Sequence, residues 1–175
     1  LSGMLIATTD RLHIRYFHLE DAAFLLELLN SPGWLRYIGD RGVRTLGDAQ
    51  NYLQSRMLDH YRRWGYGMYL VAQRGSGRAL GACGLVNRTG LEGVDLGFAL
   101  LPEFEGQGYA REAAEAVVQD AWWRVELPRL LAITLPENYR SVRLLEQLGF
   151  ETAGQIVMEG DALLLMQIER PRTRS

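Results

Sequence analysis

The chain has 175 residues and a formal net charge of −2, with 47% hydrophobic and 23% charged residues. That is enough chain for one packed domain, and the composition excludes a disordered segment and a net positive field that would draw it to nucleic acid or an anionic membrane. Cys83 is the sole cysteine and His13, His18 and His60 show no metal-ligand pairing, so an internal disulfide and a structural metal are both unexpected and a reducing compartment, the cytoplasm, is the natural home.

No repeat, low-complexity tract or long linker divides the chain, and one domain is expected over 4–170. Leu1-Ser2-Gly3 reads as an addition ahead of a native Met4, and 171–175 as a solvated tail continuing from Arg170 through Arg172 and Arg174. Alternation in Leu12-His13-Ile14-Arg15-Tyr16 predicts a half-buried strand. Ala22, Leu25, Leu26 and Leu29 recur at helical spacing until Ser31-Pro32-Gly33, which is expected to stop that helix. A second helix is expected from Thr45, where Thr45-x-x-Asp48 offers an acidic capping box, with Ala49, Tyr52, Leu53 and Met57 on its buried stripe.

Strand-like runs follow at 68–73, 80–87 and 94–100, joined by short Gly-rich turns that favour an antiparallel meander. The period then changes to that of a helix, with Ala110, Ala113, Ala114, Val117, Val118, Ala121 and Trp122 on one face. The apolar run 130–135, bounded by Pro128 and Pro136, reads as a buried central strand. Asn138 can cap a helix through Leu148, with Gly149 in its C′ position, and strands at about 150–157 and 162–168 close the chain. The expected fold is α+β: a single mixed, mostly antiparallel sheet of about seven strands flanked by about four helices.

The chemistry is concentrated where strand 94–100 turns into the next helix, at Glu105-Gly106-Gln107-Gly108-Tyr109-Ala110-Arg111. Two glycines let the backbone approach a ligand, and a helix that starts near Gly108 leaves its first amides free beneath a positive macrodipole. That combination would seat a phosphate or pyrophosphate, the alternative being a loop that merely needs two glycines. A dinucleotide fingerprint would want Gly or Ala where Arg111 stands, and the Gly-Lys-Ser/Thr ending of a P-loop is absent.

The segment Glu105-Gly106-Gln107-Gly108-Tyr109-Ala110 resembles the acetyl-CoA pyrophosphate loop of the GNAT superfamily, Gln/Arg-x-x-Gly-x-Gly/Ala. Asn138-x-x-Ser141 followed by Leu144-Leu145-Glu146-Gln147-Leu148-Gly149-Phe150 resembles that superfamily's second motif. Thr9–Arg15, Trp64–Ala72 and Leu80–Leu85 are similar to the RimJ/RimL-like branch, the ribosomal-protein N-terminal acetyltransferases and their relatives. Two positions depart from the pattern. Glu105 replaces the first Gln or Arg, and Leu145 stands where many members carry a tyrosine that protonates the leaving thiolate.

The resemblance implies an N-acetyltransferase that moves acetyl from acetyl-CoA to a primary amine, on a peptide or a small molecule, by direct attack in a ternary complex. It implies a monomer or homodimer with no metal, nucleic acid or membrane partner. The competing class is a non-catalytic acetyl-CoA-binding or protein-interaction module that kept the fold. The backbones of Phe98 and Leu100 would hold the pantetheine arm between two splayed strands. The amides of Gln107, Gly108, Tyr109, Ala110 and Arg111 would hold the pyrophosphate. Asn138 serves either as an N-cap or as a CoA contact. Ser141 is a candidate catalytic residue beside the sulfur, the alternative being an ordinary first-turn residue. Asp95 is the candidate base, the alternatives being a solvent-side residue or a partner to an arginine. Trp34 and Tyr37 either shape the acceptor pocket or pin their loop to the core, with Arg36 and Arg41 as candidate contacts to a substrate carboxylate.

Overall fold

The computed structural model describes residues 4–174, so Leu1, Ser2 and Gly3 lie outside it. Strands β1 (Leu5–Thr8) and β2 (Leu12–Tyr16) open the chain as a hairpin, with Leu12, Ile14 and Tyr16 buried as the alternation requires. Helix α1 (Ala22–Leu29) buries Ala22, Leu25, Leu28 and Leu29. A short helix α2 (Pro32–Tyr37) follows at once, where the sequence had pointed to a stop. Helix α1 does stop there, at Leu29, with Ser31 extended before the proline. Pro32 lacks an amide that a first turn would leave unbonded, so it also starts the next helix.

Helix α3 (Leu46–Tyr52) begins on the expected cap: the Thr45 hydroxyl accepts from the Asp48 amide at 3.0 Å, and the Asp48 carboxylate accepts from the Thr45 amide at 3.2 Å. It runs through a π-helical stretch, Leu53–Leu58, into α4 (Asp59–Trp64), which ends at Gly65 in the left-handed region. Strands β3 (Met68–Gln73), β4 (Ala79–Val86) and β5 (Asp95–Leu100) form the meander. Then come α5 (Tyr109–Trp123), β6 (Arg129–Thr134), α6 (Tyr139–Gln147), β7 (Glu151–Met158) and β8 (Asp161–Glu169).

The strands make one eight-stranded sheet in the order β1-β2-β3-β4-β5-β6-β8-β7. Every neighbouring pair is antiparallel except β5–β6. The additional strand is β1, a four-residue edge segment too short for alternation to announce. Helix α5 packs on the sheet through Ala113, Ala114, Val117, Ala121 and Trp122, all nearly inaccessible, and its alanines let the helix axis come close to β4 and β5. Among the described residues no helix is long and apolar enough to cross a membrane.

Candidate active site

Strands β5 and β6 touch at a single register point, Asp95 opposite Leu131, where the Leu131 amide donates to the Val94 carbonyl at 2.9 Å. Past that point they part. On its other edge β5 keeps register with β4 as far as Leu100, opposite Gly81, and the Leu101 amide donates to the Leu80 carbonyl at 2.9 Å. Backbone groups of an extended strand alternate sides, so residues 97, 99 and 101 face β4 and Phe98 and Leu100 face the gap. The two positions singled out from sequence therefore present an unpaired strand edge.

The gap opens onto the turn between β5 and α5. Gly106 and Gly108 adopt φ of 77° and 85°, a left-handed geometry that side chains resist. The amides of Gly106, Gln107, Gly108, Tyr109, Ala110 and Arg111 have no acceptor among the described residues, and the first bond of α5 runs from the Glu112 amide to the Gly108 carbonyl at 3.1 Å. Successive free amides at a helix N-terminus make a concave anion seat.

The seat is braced from the β1–β2 turn. Arg11 lies 4.2 Å over the Tyr109 ring, and its Nη1 donates to the Gln107 carbonyl at 3.0 Å. Its Nε and its backbone amide donate to the two Glu112 oxygens at 2.7 and 2.9 Å, and the Thr9 hydroxyl also donates to Glu112. Burial alone would raise the Glu112 carboxyl, but the bonds from Thr9 and Arg11 outweigh it and hold the group below its ordinary range. A Cβ at Gly108 would stand 3.3 Å from Arg11 Nη2. Glycine at 108 is thus favoured by its backbone angle and by the proximity of Arg11, alongside the room for a ligand expected from sequence.

Helix α6 starts on Asn138, whose Oδ1 accepts from the Ser141 amide at 3.4 Å, so the N-cap role is present. The Ser141 hydroxyl is half-buried and makes no hydrogen bond among the described residues. Arg140 reaches Glu105 Oε2 at 2.8 Å. Leu145, which the resemblance sets where many members carry a tyrosine, is 1% exposed and part of the core.

Of the alternatives for Asp95, the structure realises the arginine partner. Asp95 is 2% exposed, and Arg88 donates to both its oxygens, from Nε at 2.8 Å and from Nη2 at 3.1 Å. Burial pushes its pKa up, against the pull of Arg88. His60 nearby has both ring nitrogens engaged: Nε2 accepts from the Asn87 amide at 3.0 Å, and Nδ1 donates to the Tyr66 carbonyl at 2.7 Å.

Trp34 and Tyr37 lie on α2, whose start adjoins the anion loop: a Cβ at Gly33 would be 3.5 Å from Glu105 Oε1. Trp34 packs against the core with its indole N–H enclosed and without an acceptor among the described residues. Tyr37 lies 4.9 Å under the Arg36 guanidinium. Arg41 approaches Glu159 of the β7–β8 turn at 3.9 Å, and a Cβ at Gly90 would be 3.6 Å from Met158. The α2–α3 loop, the β4–β5 loop and the β7–β8 turn thus converge. Arg11, Glu112, Arg88 and Arg140 carry these contacts without any local sequence pattern that singles them out.

Residues 11–151 match the acetyltransferase (GNAT) domain family. The chain is 27% identical over 147 residues to the uncharacterised N-acetyltransferase YnaD of Bacillus subtilis, covering 84% of this chain and 83% of that protein. A GNAT-family acetyltransferase structure from Bacillus anthracis superposes with a TM-score of 0.77 at 25% identity, over 95% of this chain and 98% of that one. RimL, a ribosomal L7/L12 alpha-N-protein acetyltransferase in complex with coenzyme A, has the same fold at a TM-score of 0.81 and 18% identity, over 95% and 98% of the two chains. Family match, splayed parallel pair and glycine-rich anion seat agree, and the chain belongs to the GNAT acetyltransferases.

Proposed function

We propose that this acetyltransferase uses acetyl-CoA to acetylate a primary amine within a ternary complex, on the RimJ/RimL-like pattern. The observation that carries the reading is the continuity of two unpaired backbone surfaces: the β5 edge at Phe98 and Leu100, and the amides from Gly106 to Arg111. The first suits an extended amide-bearing arm, the second a pyrophosphate, and they lie in the order in which the two parts of acetyl-CoA occur.

In this reading the backbone amides of Gln107, Gly108, Tyr109, Ala110 and Arg111 bind the pyrophosphate. Phe98 and Leu100 pair with the pantetheine arm, and an amide of this edge also meets the charge developing on the thioester oxygen. Asn138 caps α6 and so fixes Ser141 beside the gap, where its free hydroxyl orients the sulfur or relays a proton. Leu145 supplies none, and a thiol of ordinary pKa near ~8.5 leaves acceptably as its thiolate. The attacking amine loses its proton to Asp95, at the branch point of β5 and β6, once Arg88 yields or through an intervening water. Trp34 and Tyr37 line the acceptor side, with Arg36 and Arg41 available to a substrate carboxylate. Cys83 is fully enclosed and burial raises its thiol pKa, which argues against an acetyl-cysteine route.

The test is a melting curve with acetyl-CoA followed by thiol release against peptides, polyamines, aminoglycosides and amino acids. A ligand at a hundredfold excess over its Kd adds about 2.7 kcal/mol to the native state. A folded protein whose melting is unmoved by millimolar acetyl-CoA would remove the cofactor from this reading.

A further inference from the structure

The motif's first residue departs from the family pattern, and the structure shows what it touches. Glu105 sits in the turn leaving β5, and Arg140 sits in the first turn of the helix leaving β6. Those strands separate after Asp95 and Leu131, so the 2.8 Å contact between Arg140 Nη1 and Glu105 Oε2 crosses the open end of the gap. It also lies beside the anion seat: a Cβ at Gly106 would be 3.9 Å from Arg140 Nη2. The pair is open to solvent, with the arginine side chain 73% and the glutamate 37% exposed, so its partners can exchange.

Resting on the acetyl-CoA reading above, we infer that Glu105 is a resident counter-anion that parks Arg140 at the cleft mouth, and that Arg140 exchanges this carboxylate for a phosphate oxygen of the incoming nucleotide. A basic residue at the first motif position would bring its charge within the loop itself. Here the charge comes from the opposite wall of the cleft, and an acid in the loop holds it in place. An arginine fork suits phosphate as well as carboxylate, and the dianionic pyrophosphate is the stronger partner. Two consequences follow. Glu105 competes with the ligand, so affinity is lower than the seat alone would give. Loss of Arg140 is doubly harmful, because it removes a phosphate contact and leaves an unpaired carboxylate facing one.

Calorimetric titration with coenzyme A should separate these contributions. Glu105→Gln should tighten binding by about 3-fold to 10-fold, and Arg140→Ala should weaken it by about 10-fold, as expected of an exposed charge-assisted contact. Arg140→Lys should recover part of the loss. Glu105→Gln combined with Arg140→Ala should bind better than Arg140→Ala alone, since the unpaired acid is gone. The affinity ratio of acetyl-CoA to S-acetyl-pantetheine, which has no pyrophosphate, should fall in Arg140→Ala by the same factor as the coenzyme A affinity. The inference is overturned if Glu105→Gln weakens binding, if Arg140→Ala binds as the parent does, or if the ratio is constant. A parent protein that binds no coenzyme A overturns the acetyl-CoA reading and this inference together, whereas a parent that binds, with variants that match it, overturns this inference alone.

Discussion

Arg11 and Glu112, 101 residues apart, meet through two donors: the arginine Nε on one carboxylate oxygen at 2.7 Å and the arginine backbone amide on the other at 2.9 Å. This contact ties the β1–β2 turn to the first turn of α5, whose free amides form the anion seat. It also sets a pH dependence. The Glu112 pKa is depressed in the folded chain, so its contribution to stability is present above the ordinary glutamate value of 4.5 and is lost as pH falls through the lower folded value. Glu112→Gln should lower the melting temperature near neutral pH and flatten the melting profile below about pH 4.5 relative to the parent. A melting series from pH 7 to pH 3 checks both, and parallel profiles for the two proteins would refute the assignment.

Gly108→Val should fold, melt lower and lose acetyl-CoA affinity. A branched side chain at φ 85° is strained by roughly 1–3 kcal/mol, and its Cβ would press on Arg11 3.3 Å away. Both effects turn the Tyr109–Arg111 amides away from their common focus. Titration should show at least a ~10-fold loss, the equivalent of one misaligned charge-assisted bond. Glu105→Ala should bind at least as tightly as the parent, and equal losses from the two changes would argue against a backbone seat.

Asp95→Asn addresses the proposed base. A carboxylate accepts the amine's proton only when ionised, and burial raises the pKa of this one, so activity should fall on the acid side at a pH above the ordinary aspartate value of 3.8. The variant should turn over at least ~10-fold more slowly and show a flattened acidic limb, with acetyl-CoA affinity close to the parent. A drop in stability with an unaltered rate–pH profile would instead mean that Asp95 serves only to anchor Arg88.

Leu145→Tyr asks whether the family's proton donor can be restored. The answer expected here is no. Leu145 is enclosed in the core with Phe150 and Trp122 also buried, so the larger phenol overfills its site and should cost about 1–3 kcal/mol of stability. Denaturant titration reads the loss and turnover should not rise. An increase in turnover would show that the tyrosine reaches the cleft, contrary to the packing of α6.

The sequence by itself determined the elements whose signals are local. Alternation in 12–16, the capping box of Thr45 and Asp48, the glycines before α5 and the cap at Asn138 each depend on residues a few positions apart, and each appears where its pattern lies. Phe98 and Leu100 were singled out by the family resemblance, and what the structure adds is that their backbone groups face the gap between β5 and β6. Elements with weak local signals escaped notice: β1 is held by pairing to β2, and α2 restarts on a proline that also reads as a terminator. The charges around the site were decided by tertiary structure alone. Whether Asp95 meets solvent or Arg88, and whether Glu105 stands free or grips Arg140 from the far wall, depends on how the β4–β5 loop folds back and how far β5 and β6 diverge. A charge interacts through space over distances that the chain spans only once it is folded, so no spacing in the sequence specifies its partner.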